Sequence, residues 1–144
     1  QCNLAGVNLT GADLTGANLA DATLTGADLT GADLTGADLT RADLTNADLP
    51  ELLVLATLTG AKLPNAYLAG FELYGIDLTD ATLTGANLAG ANLTDASLMG
   101  AKLMKADLTN ADLTGADLAS ADLKDAIITG VIGAKFSLAL NVPD

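Results

Sequence analysis

The stretch Ala27-Asp28-Leu29-Thr30-Gly31-Ala32-Asp33-Leu34-Thr35-Gly36 repeats itself after five residues, and the same period runs through nearly the whole chain. From Cys2 to Glu51 the sequence divides into ten blocks of five, and from Ala56 to Gly130 into fifteen more. With the leucine position written i, leucine falls at Leu4, Leu9 and onward to Leu49, then at Leu58, Leu63 and onward to Leu123, with Ile128 last. Position i−2 is nearly always Ala, i−1 often Asp or Asn, i+1 often Thr and i+2 often Gly. A fixed short period of this kind is the mark of a repeat architecture, in which each unit buries its apolar face only against its neighbours.

A period of five cannot belong to an α-helix. Five residues advance about 140° beyond a full helical turn, so successive leucines would wander around the axis and form no stripe. In an extended strand i−2 and i share one face while i−1 points to the other, which sets Ala and Leu inward together. The alternation has to break at Thr-Gly. Glycine accepts the backbone angles of a corner and Asp or Asn bonds nearby backbone, so each block is a short strand followed by a bend.

Composition limits the chemistry. The 144 residues are 50% apolar but only 3% aromatic, without Trp, so small aliphatic side chains must fill the core. With no His and one Cys, neither a Ser-His or Cys-His nucleophile pair nor a Cys/His zinc site can be assembled, and no internal disulfide can form. Eighteen acids against six bases give a net charge of −12, which argues against direct binding to nucleic acid or to an anionic membrane surface. The longest aliphatic stretch, Leu52 to Ala56, is far short of the roughly 20 residues of a spanning helix, so a soluble chain without membrane insertion is expected. The first residue is Gln and the repeat starts at once, consistent with a removed or omitted leader.

At these blocks the chain resembles the pentapeptide-repeat family, whose pattern of Ala, Asp or Asn, Leu and two variable residues covers about nine-tenths of it. The resemblance implies an all-β fold, a right-handed quadrilateral parallel β-helix of four blocks per coil, with Leu and Ala inward and three positions outward. Twenty-five blocks then make about six coils, a rod of about 30 Å at the strand spacing of roughly 4.8 Å. Such proteins are abundant in cyanobacteria, in the cytoplasm and the thylakoid lumen, and most have no assigned activity.

The expected organisation is a single solenoid over residues 1–144, with a first repeat run 2–51, an irregular register break 50–57, a second run 56–130 and a C-terminal cap 131–144. The break arises because Leu49 and Leu58 are nine residues apart, one short of two blocks. Just beyond it Phe71 and Ile76 replace Ala at the inward i−2 position, while Tyr67, Glu72 and Tyr74 should point outward. Two outward tyrosines are a candidate recognition spot, since Tyr is enriched at interface anchors.

Blocks 20 residues apart should share a side. The side centred on Leu63, Leu83, Leu103 and Leu123 then carries Lys62, Lys102, Lys105 and Lys124 against Asp122 and Asp125, with Met99 and Met104 as soft apolar contacts nearby. The other sides of the second run carry only acids, and in the first run eight acids face Arg41 alone. Asp28 and Asp48, and Asp13 and Asp33, should stack one coil apart as solvated ladder neighbours.

The ends carry expectations too. Phe136, Leu138, Leu140 and Val142 could plug the last coil or pair with a second copy to give a homodimer through a coil end. At the other end Cys2 occupies i−2, where a small buried side chain is expected, and either a preceding segment or a partner should meet the first coil. The triplets Asn8-Leu9-Thr10 and Asn92-Leu93-Thr94 match a glycosylation pattern only because the repeat generates it. No calcium-loop spacing is present, and a core filled with Leu and Ala offers no concavity for paired carboxylates to act in. No catalytic residue, metal or cofactor is expected. The chain reads as a non-enzymatic structural or interaction module with an unidentified protein partner. The alternative, implied by the same resemblance, is a DNA mimic acting on DNA gyrase, as the fluoroquinolone-resistance members do. Twelve net charges over about 30 Å is one per about 2.5 Å, against one per about 1.7 Å of duplex.

Overall fold

The structure is a computed structural model that describes residues 2–49 and 56–143. Each block makes one rung, and the rungs pair in parallel with those of the next coil. On the first side the rungs are Asn3, Thr23, Asp43, Lys62, Thr82, Lys102, Asp122 and Leu140. Their spacing is 20 residues except from Asp43 to Lys62, where it is 19. Eight rungs mark seven turns of winding, so the rod is one coil longer than block counting suggests, about 34 Å. The extra coil comes from the tail: Ile132 pairs with Asp112 and Leu140 with Asp122, so residues 131–140 continue the winding instead of only covering it.

The corner is a four-residue turn closed by a bond from the next Ala N–H to the Leu carbonyl, as from Ala32 to Leu29 at 2.9 Å. Its third residue, i+2, has a positive φ, 66° at Gly31, which is the type II geometry that favours glycine. Asp or Asn takes this place at Asp80, Asp95 and Asn110, where φ is 58°, 57° and 57°. The i−1 side chain holds the corner from the other flank: Asp28 Oδ1 accepts the Thr30 N–H at 3.0 Å, an Asx turn repeated along the chain. Coils are joined by three bonds per side. On the second side Leu9 N–H donates to Asp28 O, Gly11 N–H to Thr30 O, and Asp28 N–H to Val7 O.

Inside, the Ala and Leu columns form one continuous core from Leu19 to Ala126, and among the described residues no polar or charged side chain is buried. Ile76 is fully buried at the i−2 position, while the larger Phe71 is only half-buried. The core thins at the first coil, where Leu4, Leu9 and Leu14 are half-buried. Cys2 is exposed there, contrary to the expectation from its i−2 place, because no coil lies over it to bury it.

Residues 50–55 of the register break lie outside the described residues. On either side of them the first side stays paired through Asp43 and Lys62, but on the second side no described bond joins the rung at Asp48 to the rung at Tyr67. Beside that step Ala47 and Leu49 are half-buried, where their equivalents one coil earlier, Ala27 and Leu29, are fully buried.

The C-terminal plug differs from expectation. Phe136 and Val142 pack against the core with Val131, Ala134 and Ala139. Leu138 and Leu140 do not; they are 69% and 52% exposed. Leu140 sits at an i−1 rung, and the rung geometry turns it to solvent whatever its hydrophobicity.

Candidate functional site

With the interior filled, chemistry is confined to the outward i−1, i+1 and i+2 columns. Lys62 and Lys102 stand on the first side with Thr82 between them. Lys105 and Lys124 lie at the corner leaving that side, one coil apart, joined by the Lys105 N–H to Lys124 O bond. Met99 and Met104 flank Lys102 in sequence at the corners before and after it; Met99 is 44% exposed and Met104 half-buried. The lysines are therefore gathered on one side with a thioether at each edge. Lys62 Nζ lies 3.6 Å from Asp43 Oδ2, a weak exposed pair. Next to it, a shallow groove of about 280 Å³ is lined by Asp21, Ala22, Thr23, Arg41, Asp43 and Lys62. Arg41 makes a two-pronged contact with Asp21 one coil away, Nε to Oδ1 and Nη2 to Oδ2 both at 2.7 Å.

The tyrosines are not on that side. Tyr67 is a rung of the second side and is 70% exposed; Glu72 is the next rung, on the third side, and Tyr74 follows it at the corner, 58% exposed. Glu72 accepts a 2.7 Å bond from Asn92 Nδ2 on the next coil. Among the described residues, the rungs and corners of the second and third sides carry no Lys or Arg.

The carboxylates are tuned for the fold. The Thr109 hydroxyl and then its N–H bond Asp107 and hold its carboxyl below the ordinary range, and Thr114 does the same for Asp112. Asp13 and Asp33 pair as neighbouring rungs, as do Asp28 and Asp48. Thr35 lowers Asp33, partly offset by the charge of Asp13. Among the described residues no three His, Cys, Asp or Glu side chains are placed to hold a metal ion, and no helix is long and apolar enough to cross a membrane.

One feature was missed by the sequence reading. The last coil presents Ile127, Ile132, Leu138 and Leu140 outward, at 49%, 56%, 69% and 52% exposure. Three of them continue ladders whose preceding rungs are Asp107, Asp112 and Asp122. The signal was the loss of polar residues at i−1 after Asp122.

The family model for pentapeptide repeats matches residues 1–41, 17–51, 76–115 and 96–132, in 8 copies. The chain is 34% identical over 96% of its length to HetL, a pentapeptide repeat protein involved in heterocyst differentiation regulation in the cyanobacterium Nostoc sp. strain PCC 7120, spanning 70% of HetL at a TM-score of 0.49. It is 45% identical over 51% of its length to alr5209, a pentapeptide repeat protein of the same organism, spanning 60% of that chain at a TM-score of 0.50. QnrB1, a plasmid-mediated fluoroquinolone resistance protein, is 20% identical over 96% of the chain, which spans 77% of QnrB1 at a TM-score of 0.49. No curated protein matches. The chain belongs to the pentapeptide repeat family, and its four-sided winding is that family's right-handed quadrilateral β-helix.

Proposed function

We propose that this protein is a non-enzymatic interaction module, a rigid rod that holds fixed side-chain columns against protein partners. The observation that carries this is the filled core without a buried polar side chain among the described residues, which leaves recognition by outward columns as the available chemistry. The first side is one such surface. Lys62, Lys102, Lys105 and Lys124, with Met99 and Met104, suit an acidic segment bearing an apolar residue. A labelled deca-glutamate peptide should bind the protein at low salt, and K62E/K102E/K105E should weaken it about tenfold without changing the thermal melt. Unchanged binding would remove the first side from the reading.

A homodimer through the C-terminal coil is supported by the outward aliphatics there and by the charge distribution. Residues 126–143 hold Lys135 as their sole charged residue, so two copies can meet there without acid facing acid. Light scattering should show a dimer that Ile127, Ile132, Leu138 and Leu140 changed together to Thr converts to monomer; a monomeric parent protein rules it out.

The paired acidic rungs Asp13 with Asp33 and Asp28 with Asp48 favour the second reading, mimicry of a DNA backbone toward gyrase. The lysine side opposes it. A supercoiling assay decides: salt-sensitive inhibition at micromolar protein supports mimicry, and undiminished supercoiling leaves the interaction module.

A further inference from the structure

The step between the two runs is the place where the molecule departs most from its own repeat. Three of the four aromatic residues of the chain, Tyr67, Phe71 and Tyr74, fall in the first coil beyond it. Phe71 turns inward and is half-buried, consistent with filling space beside the unpaired step. The two tyrosines do nothing comparable for the core. Tyr67 is 70% exposed and Tyr74 58%, and neither hydroxyl makes a hydrogen bond to a described residue. Elsewhere the described second-side rungs before the last coil are Asn or Asp, so a tyrosine in that column is not required by the ladder.

The electrostatic setting selects the partner. By register Asp48 is the rung preceding Tyr67 on the second side, and Glu72 is the rung between the two tyrosines on the third. With no base on either side among the described residues, the aromatic faces lie in a field of one sign. Aromatic rings flanked by carboxylates attract guanidinium and ammonium groups, through the ring quadrupole and the charge together. An acidic or neutral apolar segment would face uncompensated carboxylates here.

We propose that Tyr67 and Tyr74, with Asp48 and Glu72, form a docking surface for arginine or lysine side chains of a basic protein segment that wraps the corner between the second and third sides. This rests on the interaction-module reading, but it concerns different sides and the opposite charge from the lysine surface.

The probe is a fluorescein-labelled Arg-Gly-Gly-Arg-Gly-Gly-Arg peptide, followed by anisotropy at low and at physiological salt. The parent protein should bind it. Y67S/Y74S should weaken binding about tenfold, Y67F/Y74F should keep it, and D107N/D112N, which removes two carboxylates farther along the same sides, should change it less than about threefold. All these side chains point outward, and circular dichroism melts check that each variant folds. Equal losses from the serine and the distal Asn variants would show general attraction to an acidic rod and overturn the docking surface. Absence of any peptide binding would overturn it as well, while leaving deca-glutamate binding to the first side as a separate test of the module reading.

Discussion

The two repeat runs share one five-residue code and differ in how tightly successive coils depend on each other. In the first run the corner glycines stand clear: a Cβ added at Gly26, Gly31 or Gly36 would meet nothing within 4 Å. In the second run an Asn or Asp at i+2 reaches over the glycine one coil later. Asn65 Oδ1 would lie 2.5 Å from a Cβ at Gly85, and Asp80, Asp95 and Asn110 crowd Gly100, Gly115 and Gly130 in the same way. A second pattern of 20 residues is therefore laid over the pattern of five. It pairs a polar corner on one coil with a bare corner on the next, so which residues depend on each other is set by the coil and not by the block.

The largest test of that contrast uses the core. Leu93 is fully buried between complete coils, whereas Leu9 is half-buried at the open end. Leu93→Ala should cost about 3 kcal/mol by urea denaturation and Leu9→Ala about 1 kcal/mol. Equal costs would mean that the first coil is as well packed as the middle of the rod.

Next in size are the corners. Gly31→Ala should cost about 1 kcal/mol for its positive φ alone. Gly115→Ala should cost measurably more, because the new methyl must displace the Asp95 side chain, and Asp95→Ala added to it should recover the difference. If both single variants melt alike, the superimposed 20-residue pattern has no energetic weight.

Acid exposes a smaller difference between the runs. Asp13, Asp33, Asp107 and Asp112 are all held below the ordinary carboxylate value in the folded state. Their ionised forms therefore stabilise the fold above about pH 4, and that contribution is lost as pH falls through the lowered folded values. The melting temperature should drop on acidification below about pH 4. By NMR titration, Thr109→Val should move Asp107 upward, toward the ordinary range, because the hydroxyl is the largest of its stabilising contacts. An unmoved Asp107 would transfer its stabilisation to the backbone bond alone.

The smallest effect belongs to the exposed Arg41–Asp21 pair, whose side chains are 64% and 47% accessible. Arg41→Gln should change stability by under about 1 kcal/mol, less at high salt.

Strand, corner and inward face were legible at once, because alternation and corner chemistry act within a single block. Ala27, Leu29, Ala32 and Leu34 are buried as their positions demand. The candidate surface was legible in part. Once 20 residues per coil were supplied by the family resemblance, Lys62, Lys102, Lys105 and Lys124 fell on one side. The outward aliphatics escaped notice because apolar residues near the end of a chain suggest a plug until their rung is known.

What the sequence determined by itself is therefore the local code: a period of five, Leu and Ala facing in, polar residues facing out, and a chain without the residues for common catalytic pairs. Tertiary structure decided which blocks touch. It shortened one coil to 19 residues between Asp43 and Lys62, set Arg41 over Asp21, exposed Cys2, and turned Leu138 and Leu140 to solvent. The reason is physical: a block specifies its own backbone angles, but its neighbours across the coil are fixed only by the winding as a whole.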